Sequence, residues 1–154
     1  EDLIDYVRPN TDASIFTATN IAEVSTQGIE FESVYKFKMR NYNQTITFGY
    51  TYLNDDILDQ NKDLSRYSLN TLKHQFISRF TSQLFKNVRQ NIIFKHAERT
   101  VGTSYNVWDA SLLVDFNKFT VNLTANNIFN AEYIESGFVQ MPPSNILLGL
   151  RYAF

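Results

Sequence analysis

The run NDDILDQNKD is the part of this chain richest in oxygen ligands for a metal ion. Within it, Asp59, Asn61 and Asp63 have the alternating spacing with which a calcium-binding loop begins, because Ca²⁺ prefers carboxylate and amide oxygens. The motif is incomplete, since Leu64 stands where such a loop needs a turn glycine and Asn70 where it needs a bidentate glutamate. A solvated acidic loop explains the same residues, so both interpretations stay open.

Other residues capable of chemistry do not form a catalytic motif. The chain has two histidines, His74 and His96, and neither has a second ligand at metal-binding spacing. There is no cysteine, no Gly-x-Ser-x-Gly motif and no phosphate-binding glycine loop. The net charge is −2, which argues against a broad nucleic-acid surface. The sequence therefore predicts a non-enzymatic protein with no cofactor and no nucleic-acid partner.

The elements that would carry these side chains alternate between apolar and polar residues. Near the end of the chain, Ile146, Leu148, Leu150 and Tyr152 share one face of a predicted strand. The same period recurs backwards to residues 3–8 and predicts about eight strands, most of them close to the roughly 9–11 residues of a tilted membrane strand. The opposite, polar faces carry charges of both signs, at Glu30, Glu32, Lys73, Arg79, Arg89, Lys95, Asp109 and Arg151. Exceptions to the alternation are His74, Ser78 and Gln90 on the apolar face, and Ile77, Ile93 and Leu147 on the polar face.

The connections between these strands alternate in length. They span approximately residues 9–20, 38–41, 55–70, 84–87, 100–105, 117–118 and 128–143. Short turns at one rim and long loops at the other are typical of outer-membrane β-barrels. The aromatic residues then form two belts at the membrane interfaces. The outer belt contains Tyr50, Tyr52 and Trp108, and the inner belt contains Tyr35, Phe37, Phe116, Phe119, Tyr152 and Phe154.

Two fold interpretations compete for this pattern. In a membrane barrel the aromatic face contacts lipid, and residues 117–118 form a periplasmic turn opposite the long loops. In a soluble all-β binding module the aromatic face would instead be the core of a β-sandwich. The loop pattern and the aromatic belts together favour the barrel.

Two stretches of the chain resemble the C-terminal part of TonB-dependent outer-membrane receptors. Residues 20–33, NIAEVSTQGIEFES, resemble the family's Gly-Ile-Glu strand. Residues 123–154, LTANNIFNAEYIESGFVQMPPSNILLGLRYAF, resemble its closing block: Asn-Leu-Phe-Asn, a tyrosine three residues on, a proline-containing loop and a last strand ending in Phe. The departures are Ile128, where the family usually has Leu, and Pro143 with Ser144, where it usually has Gly-Arg.

The resemblance implies an all-β, antiparallel meander that is the C-terminal part of a transmembrane β-barrel of about 22 strands around a plugged lumen. Residues 1–154 would be one portion of that barrel, with the plug domain and the earlier strands absent. It further implies a bacterial outer-membrane location and TonB-dependent uptake of a scarce chelate, either cobalamin or another corrinoid, or a ferric siderophore. Residues 4–24 and 65–76 resemble the cobalamin-receptor-like branch. The implied partners are outer-membrane lipid, the barrel-assembly machinery, the small chelate, and the TonB complex through the missing plug.

The resemblance also points to two groups of residues with a role. Ligand contact in the family involves extracellular loops, and the aromatic candidates there are Tyr67, Tyr105, Tyr133 and Phe138. Each of these side chains could instead pack within its own loop. The last strand resembles the signal that the barrel-assembly machinery recognises, carried here by Phe154, Tyr152, Leu150 and Leu148. The alternative is that the terminal aromatic residue only ends an edge strand.

Overall fold

The computed structural model describes residues 3–8, 15, 17–21, 24–57, 64–65, 72–100, 104–136 and 139–154. The strands in these residues are β1 (Leu3–Arg8), β2 (Thr17–Ile21), β3 (Val24–Met39), β4 (Tyr42–Ile57), β5 (Leu64–Ser65), β6 (Leu72–Phe85), β7 (Val88–Arg99), β8 (Tyr105–Phe116), β9 (Phe119–Asn126), β10 (Ile134–Ser136), β11 (Val139–Gln140) and β12 (Asn145–Tyr152). Seven of them form one sheet in the order β12-β9-β8-β7-β6-β4-β3, and every pair is antiparallel. The predicted all-β, antiparallel meander is confirmed. No helix among the described residues is long and apolar enough to cross a membrane.

The first predicted strand lies outside the main sheet. Residues 3–8 form β1 as expected, but β1 pairs with β2 on one side and with β5 on the other, in a separate three-stranded sheet. Both partners fall within the stretches predicted as loops, at about residues 9–20 and 55–70. The expectation that β1 extends the meander was wrong, because alternation shows that a segment is extended but not which segment it pairs with.

The register of the main sheet places the apolar positions of neighbouring strands opposite one another. Phe31 lies opposite Tyr50, and Tyr50 lies opposite Phe76 on the next strand. At the other side of the sheet, Leu148 lies opposite Leu123. Since side chains of directly paired residues lie on the same face, these pairs define one continuous apolar face across the seven strands. The register therefore places these apolar residues on the face of the sheet that the sequence predicted for them.

The apolar face is exposed instead of forming a core. The exposed fractions of Ile146, Leu148 and Leu150 are 72%, 75% and 71%. In a soluble sandwich a second sheet would bury such a face. Among the described residues, the buried hydrophobic side chains lie on the opposite, polar face, at Ala97, Tyr105 and Val107. This arrangement does not support the soluble binding module and fits a sheet whose apolar face meets lipid.

Short turns lie at one end of the main sheet and long connections at the other. Arg40 and Asn41 have φ angles of 50° and 70° in the turn between β3 and β4, and Asn117 has a φ of 50° in the turn between β8 and β9. Asparagine adopts this left-handed conformation more readily than most residues, which explains its place in two of these turns. The predicted tight turn at residues 117–118 is confirmed, and β4 and β9 both end at the opposite end of the sheet. Most of the predicted 55–70 connection lies outside the described residues.

Gly28 stands at a close approach between β3 and β4. A Cβ atom added there would overlap the backbone carbonyl oxygen of Tyr52 and the side chain of Leu53. A Cβ atom at Gly49 on β4 would meet no atom within 4 Å. The two strand glycines therefore differ: the backbone approach requires glycine at position 28, while position 49 has room for a larger residue.

Candidate functional site

A loop folds onto the polar face at the end of the sheet that has the long connections. It spans residues 127–144, and Asn127 at its base is only 3% exposed. The backbone N–H of Asn127 donates to Asp109 (2.8 Å), and its side-chain amide donates to the carbonyls of Ala131 (2.8 Å) and Pro142 (3.3 Å). The Asn127 Oδ1 accepts the N–H of Ala131 at 2.8 Å. One buried side chain thus ties both ends of the loop together.

The local sequence NNIFN explains why the loop turns at this point. Asn127 and Asn130 have φ angles of 49° and 53°, in the left-handed region that asparagine tolerates. Asn130 adds a second connection, because its Oδ1 accepts the N–H of Ser144 at 2.9 Å. The chain therefore reverses after β9 and returns to β12 across the polar face.

The wall beneath the loop is a small apolar patch on the otherwise polar face. Ala97 on β7 lies directly opposite Tyr105 on β8, and Val107 lies opposite Lys95. Ala97, Val107 and Tyr105 are buried, and Tyr133 from the loop packs against them. The loop contacts this wall because the patch would otherwise expose apolar surface to water.

Two tyrosines and one ion pair join the loop to the wall. The rings of Tyr105 and Tyr133 are stacked with centroids 4.6 Å apart. The Lys95 ammonium forms an ion pair with the Glu135 carboxylate, and the Tyr105 hydroxyl donates to the same carboxylate at 3.3 Å. Lys95 Nζ also lies 5.8 Å from the ring centroid of Tyr105 and 5.5 Å from that of Tyr133, within the range of a cation–π contact. We call these four residues the loop–wall cluster.

The electrostatics of the cluster follow from its partial burial. The side chains of Lys95 and Glu135 are 22% and 30% exposed, so the ion pair is only partly screened by solvent. Burial raises the pKa of the Tyr133 phenol, and the negative charge of Asp109 and the neighbouring Tyr105 raise it further. Tyr133 therefore stays a neutral hydrogen-bonding aromatic group through the physiological range. The cluster can bind a ligand by charge and by ring stacking.

The structure brings together two of the four aromatic residues that the sequence suggested as ligand contacts. Tyr105 and Tyr133 stack on each other, whereas Tyr67 and Phe138 lie outside the described residues. The candidate calcium residues also lie outside the described part of the chain: Asp59, Asn61 and Asp63. Among the residues that the structure describes, no three His, Cys, Asp or Glu side chains are placed to hold a metal ion.

Sequence reasoning missed the ion pair of the cluster. Lys95 was recognised as one of several charges on the polar face, but Glu135 was not singled out. Its contact joins residues 40 positions apart across a loop, where no period of the sequence indicates which way a side chain points. The available signal was weaker: an acidic residue two positions after Tyr133 in a loop close to a strand that carries a lysine.

The residues proposed for assembly run from the middle of β12 to the rim opposite the loop–wall cluster. Leu148, Leu150 and Tyr152 share the apolar face, and the Tyr152 ring contacts those of Phe119 (4.8 Å) and Phe154 (5.5 Å). The backbone N–H of Ala153 donates to the Lys118 carbonyl at 2.9 Å and extends the pairing past β12. On the polar face of the same end, the Asp115 carboxylate accepts from Arg89 (2.9 Å) and Thr120 (2.8 Å).

A single antiparallel sheet with an exposed apolar face, a polar face covered by a loop, and short turns gathered at one rim is the wall of a membrane β-barrel. The family model described as TonB dependent receptor-like, beta-barrel matches residues 1–128. The chain belongs to this family. Membership supports TonB-dependent transport at the bacterial outer membrane as the general function. No curated protein and no solved structure gives a significant match to the chain.

Proposed function

We propose that this chain forms the C-terminal wall of a barrel of about 22 strands in a TonB-dependent importer that captures a scarce chelate, a corrinoid or a ferric siderophore, at the cell surface. The observation that carries the proposal is the position of loop 127–144, which packs on the polar face at the long-loop end. In a barrel oriented in this way the loop–wall cluster would lie inside the outer mouth, where a ligand enters from outside. The chain supplies wall and loop, and no catalytic step is required of it.

The two faces of the sheet support this orientation. Contact between lipid and exposed apolar side chains such as Leu148 and Ile146 would stabilise the barrel, whereas the polar face needs water or a polar partner. Charges of both signs on the polar face, among them Glu30, Glu32 and Arg79, are suited to hold a plug domain, because buried charges require partners. TonB would act on that plug and not on this segment.

The edges of the main sheet support a larger barrel. Within the described residues, β3 pairs only with β4 and β12 only with β9. An earlier barrel strand would then cover the β3 edge, as closure requires when no water is present to satisfy backbone groups.

Tyr105 and Tyr133 are the ligand-contacting residues that we propose first, with Tyr67 in the 55–70 connection and Phe138 in the same connection as Tyr133 as further candidates. The Tyr133 side chain is partly exposed and offers a flat aromatic face and a hydroxyl group, while the buried Tyr105 ring supports it from behind. Both features suit a chelate that carries ring systems and polar edges.

At the other rim, we propose that the barrel-assembly machinery recognises the last strand through Phe154, Tyr152, Leu150 and Leu148. Leu148, Leu150 and Tyr152 lie on one face, the Phe154 ring contacts that of Tyr152, and Phe154 is fully exposed. An exposed aromatic end is therefore accessible to a partner before the barrel closes.

Binding measurements on a full-length receptor carrying this chain test the proposal. We expect the purified receptor to bind a ferric siderophore or cyanocobalamin, and the double variant Tyr105→Ala/Tyr133→Ala to bind about tenfold more weakly, which corresponds to about 1.4 kcal/mol. Tyr35→Ala is the matched control, because Tyr35 lies on the apolar face of β3 and is 63% exposed. Failure to bind any corrinoid or ferric chelate would refute the substrate class, and unchanged affinity in the double variant would refute the site.

A further inference from the structure

Within the loop–wall cluster, a carboxylate of the chain itself occupies the position beside the Lys95 ammonium. The Glu135 carboxylate lies against the Lys95 ammonium and accepts a hydrogen bond from the Tyr105 hydroxyl. The Tyr105 and Tyr133 rings flank the same ammonium. The wall thus provides a cation, a hydroxyl donor and two aromatic faces around one position that a carboxylate can occupy.

The position of Glu135 makes this contact reversible. Glu135 lies in β10, near the tip of loop 127–144, and its side chain is 30% exposed. A carboxylate released from Lys95 would therefore regain hydration, which offsets part of the lost ion pairing. The base of the loop would stay in place, because Asn127 holds it through bonds that do not involve the cluster.

We propose that Glu135 is an internal competitor for the ligand: Lys95 anchors an anionic oxygen of the chelate, and the incoming anion displaces Glu135 and releases the tip of the loop. The inference rests on the proposed function and deepens it. The ligand class that it names is a chelate with an exposed anionic oxygen donor beside an aromatic or other flat group. A chelate without such an anion would not displace Glu135 and would leave the loop closed.

The charges around Lys95 support the exchange of the Glu135 carboxylate for a ligand anion. With Glu135 in place, Lys95 is neutralised by the loop, and Asp109 on the neighbouring strand adds a second negative charge nearby. Once Glu135 leaves, the ammonium loses its ion-pair partner in a largely buried site where the nearby charges of Asp109 and Arg99 oppose each other, and an anionic ligand oxygen restores the pairing. Ligand and loop therefore compete for one cation, so removing the loop carboxylate should strengthen the binding of anionic ligands.

The test uses the full-length receptor and two readouts. The first is the mobility of a nitroxide at Val139→Cys, an exposed position at the loop tip, in the ligand-free protein. We expect Glu135→Gln and Lys95→Gln to mobilise the label and Glu132→Gln to leave it unchanged. Glu132 is the matched control, since it is an exposed carboxylate three residues earlier in the same loop.

The second readout is binding of ferric citrate, an anionic chelate, and of a neutral ferric trihydroxamate, in which every anionic oxygen is already bound to the iron. We expect Glu135→Gln to bind ferric citrate about three- to tenfold more tightly than the parent receptor, the modest effect typical of a partly exposed ion pair, and to bind the neutral trihydroxamate unchanged. Equal label mobility in the parent and in Glu135→Gln would overturn the inference even if both chelates bind. If the label is mobile in Glu135→Gln but neither chelate binds, the proposed substrate class is refuted. The role of the Lys95–Glu135 ion pair in holding the loop would still stand.

Discussion

Replacing Leu148 by arginine places a charge on the apolar face of β12, and the neighbouring residue supplies an internal control. Leu148 lies opposite Leu123 on the apolar face, whereas Leu147 lies opposite Thr124 on the polar face. Leu148→Arg and Leu147→Arg are therefore the same chemical change on adjacent residues of one strand. Only the face differs, so any difference in stability reports the environment of that face.

The expected magnitude follows from the position of Leu148 along the strand. β12 has eight residues, which at a rise of about 3.4 Å span about 27 Å, or about 19 Å along the membrane normal at a tilt of about 45°. Leu148 is the fourth of these residues and so lies near the middle of an apolar band about 25 Å tall. An arginine there should destabilise the barrel by about 2–4 kcal/mol. We expect Leu147→Arg, which points into the polar lumen, to cost less than about 1 kcal/mol.

The assay is guanidinium titration of a full-length receptor folded into phospholipid vesicles, with folded and unfolded barrels separated by their different mobility in unboiled gels. The control for general damage is the m-value, which should be the same in both variants if only stability changes. Equal destabilisation by the two arginines, or a larger effect at Leu147, would refute the assignment of the apolar face to lipid.

Three further predictions concern the wall, the loop and the chain end. Gly28→Ala should destabilise the barrel by about 1–3 kcal/mol because the new Cβ overlaps the β4 backbone, whereas Gly49→Ala should be neutral or stabilising in the same unfolding assay. Asn127→Ala removes the side-chain hydrogen bonds that join both ends of the loop, whereas the control Asn130→Ala loses one exposed bond. Limited proteolysis should therefore cleave loop 127–144 faster in Asn127→Ala than in Asn130→Ala. Equal cleavage rates would show that Asn127 does not hold the loop. Deleting Phe154 should lower the amount of surface-exposed receptor and leave the chelate affinity of assembled molecules unchanged, since the residue lies at the rim opposite the loop–wall cluster; normal receptor levels with weakened binding would contradict both the assembly role and the polarity of the chain.

The sequence predicted on which face of the sheet a residue lies more successfully than it predicted which strands pair. On β9 and β12 every second residue is apolar, and this period determines the face of Leu123 and Leu148 whatever the neighbouring strand is. Isolated exceptions such as Ile93 and Leu147 did not disturb the pattern, because the pleat fixes their face as well. The partner of β1 depends instead on contacts between distant segments, and the period of two carries no information about them.

The candidate site was predicted only in part for the same physical reason. Tyr105 was predicted at the end of the 100–105 connection and instead begins β8, so its place on the polar face comes from the structure. Tyr133 and Glu135 belong to a loop whose path depends on the hydrogen bonds of Asn127, and a sequence pattern does not reveal these bonds. The stacking of the two tyrosines and the ion pair of Lys95 with Glu135 are therefore results of the tertiary structure.

The central claim is that the apolar face of this sheet meets lipid and the polar face lines an aqueous lumen. The most direct test is nitroxide scanning of residues 147–150 in a full-length receptor in bilayers, comparing collisions with oxygen, which concentrates in lipid, and with a water-soluble nickel complex. We predict that Leu148 and Leu150 collide mainly with oxygen, while Leu147 and Gly149 collide mainly with the nickel complex. Accessibility that does not alternate along the strand, or that alternates with the opposite phase, would contradict the account.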